Sequence, residues 1–183
     1  ENYKRDSIVS MVWSDSRCDE CGEEFYNKYT LRNHKSNVVA TLQHEWETLE
    51  NKTSGFQLAR FYLEGIHGLE LDTEKAKNIL IELTNMKYTP AFRELGMVFH
   101  FEGDQKNALK YWEDRCMRNE GYILYLVGLI YHRGTDGILK DRKKAIKYFY
   151  LAASENCEWA RKMLTKHYKP ILDKLGMTIP KRT

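Results

Sequence analysis

Proline is scarce in this chain, 3 residues in 183, and glycine numbers only 11, which excludes a collagen-like or low-complexity polymer. No apolar run approaches the roughly eighteen residues of a membrane span, and the opening Glu1-Asn2-Tyr3-Lys4-Arg5 is polar rather than signal-like. The chain starts without a methionine, which points to an excised fragment. Cysteines number 4, too few for a disulfide scaffold, so the reading is a reduced compartment: intracellular, in nucleus or cytoplasm. Also missing are a GxGxxG, a phosphate loop, an HExxH and a GxSxG, so nothing marks an enzyme and no catalytic residue is nominated.

Charge of either sign is plentiful, at 30% of residues, but unevenly placed. From Leu139 onward twelve Lys and Arg face four Asp and Glu, a balance of +8, which leaves 17 − 22 = −5 for the residues before it. The C-terminal end is therefore basic. Lys140, Arg142, Lys143, Lys144 and Lys147 are its candidate nucleic-acid contacts, against the plainer reading of a solvated helix face.

Near the N-terminus, Cys18-Asp-Glu-Cys21-Gly22 followed by Phe25, Leu31 and His34 has the spacing with which two thiolates and an imidazole surround one tetrahedral ion. Phe25 and Leu31 supply the aromatic and the aliphatic side chain of a very small core. This segment resembles the two-Cys two-His zinc-finger family in every position but the last. The resemblance implies a ββα module with structural Zn2+ as cofactor. The family's second histidine would follow His34 within five residues, where Val38, Val39 and Ala40 stand, so His44 is the next candidate. One straight helix would hold His34 and His44 roughly 15 Å apart and prevent sharing. A break at Ser36 and Asn37, both good N-cap residues, would let His44 fold back.

The body repeats. Leu58-Ala59-Arg-Phe-Tyr62, Leu95-Gly96-Met-Val-Phe99 and Val127-Gly128-Leu-Ile-Tyr131 coincide, as do Lys75-Ala76, Asn107-Ala108 and Lys144-Ala145. The offsets from small residue to alanine are 17, 12 and 17, so the middle copy has lost five turn residues. With Gly65, Gly68 and Asp72 in the first copy, Gly103, Tyr111 and Trp112 in the second, and Gly134, Gly137, Asp141, Tyr148 and Ala152-Ala153 in the third, these segments resemble Sel-one-like repeats, relatives of tetratricopeptide repeats. The fold expected is mainly α: a short α-solenoid of three helical hairpins with capping helices, preceded by the small ββα zinc finger. Asp72, Asp104 and Asp141 are the expected N-caps of the second helices.

The expected organisation is an extension over 1–12, the finger over 13–36, a connecting and capping helix over 37–50, repeats over 54–168 and a capping helix with basic tail over 169–183. Val38, Leu42, Trp46 and Leu49 recur at helical spacing in the connecting helix. In the repeat families resembled, first helices line a groove that holds a protein or peptide. That implies Phe56, Arg60, Arg93, Met97, His100, Tyr125, Leu129 and His132 as groove residues of a non-enzymatic adaptor; nucleic-acid association is the competing reading. His100 and His132 hold related places in successive copies, where packing or capping is the commoner role for a histidine.

Overall fold

The computed structural model describes residues 28–115, 120–135 and 137–182, and among them the chain is helical with no strand. In order come α1 (Lys28–Leu49), α2 (Lys52–Glu64), α3 (Thr73–Asn85), α4 (Thr89–Phe101), α5 (Gln105–Arg115), α6 (Gly121–Arg133), α7 (Arg142–Ser154) and α8 (Glu158–Met163). The last passes through one π-type turn, Leu164–Tyr168, into α9 (Lys169–Lys174). The chain forms two compact units, Glu1–Ile79 and Leu80–Thr183, divided within α3.

In the first unit, α1 runs unbroken through Ser36 and Asn37, so the expected helix boundary at 36/37 does not exist. Its inner face is Val39 and Leu42, with Trp46 half-buried; Leu49, expected on that face, is 68% exposed at the helix end. Trp46 lies so close to Gly55 of α2 that a Cβ there would overlap the indole ring. The Glu45 carboxylate accepts from the buried Ser54 hydroxyl, and Asn51 caps α2 by accepting from the Thr53 and Ser54 amides at 3.1 and 3.3 Å. This segment packs on α2 within the first unit.

Each second helix begins where the aspartates predicted. Asp72 accepts from Lys75 N at 2.9 Å, Asp104 from Asn107 N at 3.0 Å and Asp141 from Lys144 N at 3.0 Å. Amide bonds of this kind favour the carboxylate over the acid, and they hold Asp72 and Asp104 below the ordinary 3.8.

In the second unit the hairpins close on their glycines. Gly96 of α4 faces Trp112 of α5, where any Cβ would overlap the indole, and Gly128 of α6 faces Phe149 of α7, where a Cβ would come within 2.7 Å of the ring. Trp112 and Phe149 are both fully buried. Neighbouring hairpins are joined by a polar contact: Glu113 Oε1 accepts from the Tyr131 and Tyr148 hydroxyls at 2.8 and 3.0 Å. The two phenols stack with centroids 5.8 Å apart and planes 6° from parallel, and Lys144 lies over Tyr131 at 4.6 Å. Burial, reinforced by the Glu113 carboxylate, pushes both phenols far above their ordinary 10.0. Beyond α7, Ala160, Leu164, Tyr168 and Leu172 turn one face inward and close this end of the core.

Candidate functional site

Along α6, residues three or four apart share one face. Tyr122, Tyr125, Leu129 and His132 therefore line one stripe, and α8 with its π-type turn brings Trp159, His167 and Tyr168 against it. The rings form a continuous strip. Tyr122 lies 5.8 Å from Trp159, Trp159 6.2 Å from Tyr125, and Tyr125 6.0 Å from Phe149, centroid to centroid. Phe149 then sits 6.2 Å from His132 and 6.0 Å from Tyr168. Phe149 is the buried floor under this row, while Tyr122 and Trp159 are 46% and 57% exposed.

The two ends of the strip differ chemically. At the Trp159 end stand Glu120, whose carboxylate is 3.7 Å from Arg93, and Glu158, paired with Arg161 at 3.0 Å. At the other end the His132 ring is 5.1 Å from His167, with Tyr168 Oη 2.6 Å from Nδ1. Burial depresses the proton affinity of His132 below the ordinary 6.5, and His167, Arg133, Lys140 and Arg142 depress it further. The Tyr168 hydroxyl and the His132 imidazole share this hydrogen bond, and burial raises the phenol above its ordinary 10.0.

Of the expected groove residues in this unit, Tyr125, Leu129 and His132 come together on the strip. Met97 is half-buried against the core. His100, expected in the groove, has its Nδ1 2.7 Å from Gln105 Oε1 and its ring 5.6 Å from Trp112. Arg93 is ion-paired with Glu94 and Glu120. Phe56 and Arg60 belong to the first unit, where Phe56 is half-buried and Arg60 bonds Glu64 at 3.1 Å. Tyr122, Trp159, His167 and Tyr168 escaped the sequence reading. An exposed tryptophan beside the inward Ala160 was their only signal.

The five candidate nucleic-acid contacts are all exposed and have different neighbours. Lys144 and Lys147 lean over Tyr131 and Tyr148, at 4.6 and 5.8 Å, and Lys144 Nζ also donates to Tyr131 Oη at 3.3 Å. Lys140 and Arg142 are instead near His132, and Lys143 is exposed. Arg161, counted in the same basic stretch, is consumed internally, donating to the Ala153 and Asn156 carbonyls at 3.2 Å each.

The expected metal ligands Cys18 and Cys21 lie outside the described residues, as does the His34 side chain. His34 and His44 do fall on one helix, Lys28–Leu49, whose rise of about 1.5 Å per residue keeps them roughly 15 Å apart. The sharing of one ion between them is thereby corrected.

Two stretches, residues 56–81 and 124–157, match the model of the Sel1 repeat, and the middle hairpin falls between them. The described chain is thus helical, and two of its stretches match that repeat. Among curated proteins it is similar to cytochrome c oxidase assembly factor 7A of Xenopus laevis, 22% identical over 161 residues, 83% of this chain and 68% of that protein. It is also similar to cytochrome c oxidase assembly factor 7 of Xenopus tropicalis, 26% identical over 66% of this chain, spanning 56% of that protein's length. Among solved structures it resembles a protective antigen of uropathogenic Escherichia coli strains displaying an SLR fold, with a TM-score of 0.60 at 18% identity over 80% of this chain and 33% of that one. A Sel1 repeat protein from Oxalobacter formigenes gives 0.55 at 24% identity over 69% of this chain and 96% of the other. At such identities the structures speak for the fold alone.

Proposed function

We propose that this chain is a non-enzymatic adaptor that holds an extended segment of a partner protein on the ring strip of its second unit. The observation that carries this reading is the exposure of Tyr122 and Trp159 over a rigid, buried aromatic floor. Large amphipathic rings at the surface of a well-packed scaffold are the residue types that anchor protein interfaces at little entropic cost. The likeness to cytochrome c oxidase assembly factors makes assembly of that oxidase a specific form of the role.

The test is a photo-crosslinking amino acid placed at Tyr122 and, as control, at the exposed Leu151 of α7, in cells that make the protein. Protein adducts are expected from position 122 and not from 151, and Trp159→Ala should abolish them. Adducts formed equally from both positions would sink the reading.

We propose further that Cys18, Cys21 and His34 hold a structural zinc, with the fourth ligand supplied by a group other than His44. The place of His34 within α1 supports this, because a finger presents its histidine from a helix. Elemental analysis of freshly purified protein should find about one zinc ion per chain, lost on Cys18→Ser with Cys21→Ser. A zinc-free wild-type chain would end the proposal.

A further inference from the structure

We infer that the segment taken up by the ring strip is acidic, its carboxylates meeting Arg133, Lys140 and Arg142 while an apolar residue lies against Tyr122 and Trp159; this rests on the adaptor reading above. The first support is how differently the arginines of this protein are used. Arg60, Arg93 and Arg161 each hold a carboxylate, at 3.1, 2.6 and 3.0 Å. Arg133, Lys140 and Arg142 are exposed, and among the described residues none of them is in an ion pair.

These three cations converge on one place. Arg133 directly follows His132 at the end of α6, Lys140 lies over Gly134 and Arg142 opens α7, and after burial their charge helps to depress the proton affinity of His132. They arrive from two elements, the C-terminal end of α6 and the turn into α7. The turn is built to bring Lys140 back: Gly134 has φ 69°, and a Cβ there would come within 2.8 Å of Lys140 Cγ, so the lysine stem lies across the bare glycine. Of the two carboxylates in this stretch, Asp141 is engaged in capping α7 through Lys144 N, and Asp136 lies outside the described residues. Like charges gathered with no ion-pair partner among the described residues repel one another and gain most from an arriving anion. The wider unit agrees: from Leu80 onward 19 Lys and Arg face 12 Asp and Glu, or +7.

A nucleic acid suits the strip less well than a protein segment. Glu120 and Glu158 sit at the aromatic end, and Glu155 packs there against Gly121, where a Cβ would come within 3.0 Å of its own. A polymer charged at every step would carry phosphates past those three carboxylates. A short acidic stretch followed by an aromatic or aliphatic residue matches both ends.

Fluorescence anisotropy with two labelled peptides tests this, both containing the same Leu-Phe pair, one flanked by glutamates and the other by lysines. A single-stranded RNA of matched charge serves as the third probe. The glutamate peptide should bind at least about tenfold tighter than the lysine peptide at low salt, the gap narrowing as salt is added. Lys140→Glu with Arg142→Glu should erase the preference, and Trp159→Ala should weaken both peptides alike. Equal binding, or tighter lysine-peptide binding, overturns the acidic partner while leaving the adaptor reading standing. RNA binding tighter than the glutamate peptide overturns it in favour of nucleic acid. If neither peptide binds and no adduct forms at position 122, the adaptor reading itself has failed.

Discussion

Replacing Gly96 by alanine is expected to destabilise the second unit by about 1–3 kcal/mol, the usual cost of forcing an extra group into a packed core. The new Cβ has nowhere to go. It would overlap the indole of Trp112, a fully buried side chain that is pinned by its Nε1 donating to the Arg93 carbonyl at 3.2 Å. Alanine favours a helix over glycine by up to about 1 kcal/mol, so the measured loss understates the steric term. Sequence register supplies a second variant. The positions equivalent to Gly96 and Trp112 in the first hairpin are Ala59 and Leu80, each fully buried. Gly96→Ala combined with Trp112→Leu should therefore be more stable than the sum of its single changes by a positive coupling in a double-mutant cycle. Urea titrations of the four proteins read it. Strict additivity would show that the glycine serves some need other than the indole.

Phe149→Ala should be the most damaging single truncation, costing about 3–5 kcal/mol. The ring is fully buried, fills the space opposite Gly128, and touches Tyr125, His132 and Tyr168. Because it is also the floor of the strip, partner adducts at position 122 should fall with it. Phe149→Leu separates the two effects: it restores much of the volume and so much of the stability, while removing the aromatic face under Tyr125. An alanine variant that melts within about 1 kcal/mol of wild type would mean the cavity collapses and the floor is not rigid.

How far these features could be read in advance depends on the distance over which each is decided. Asp72, Asp104 and Asp141 act on amides three residues away, so the local pattern specified them completely. Gly96 and Gly128 were visible through repetition, since a small residue recurring at one register position implies a close approach. Their partners Trp112 and Phe149 lie 16 and 21 residues onward, a difference equal to the five residues lost from the middle turn. Trp46 against Gly55 had no repeat to reveal it. The strip was half legible: Tyr125, Leu129 and His132 share one helix, whereas Trp159, His167 and Tyr168 come from another.

The π-type turn hid that second half. Ala160, Leu164, Tyr168 and Leu172 are spaced four apart, and on a regular helix of 3.6 residues per turn such a series drifts about 40° per step off any one face. The wider turn at Leu164–Tyr168 cancels that drift. Its cause stands just beyond it, because Pro170 has no amide to give Lys166 and its ring crowds that carbonyl. At Ser36 and Asn37 propensity lost outright: two residues that favour a helix start were carried through the middle of α1.

The contact of Glu113 with Tyr131 and Tyr148 sets how the hairpins of the second unit share their stability. A stack of repeats behaves as a row of units, each with its own stability and a coupling to its neighbour. Apolar surfaces supply coupling that fades gradually as they slide apart. A carboxylate accepting from two phenols adds a directional coupling at one point, lost over a short separation because a hydrogen bond weakens steeply once its geometry is broken. Cooperativity between these two repeats thus has a polar latch set beside the apolar core they share, in which Leu109 and Trp112 belong to the same buried cluster as Ile123 and Leu124.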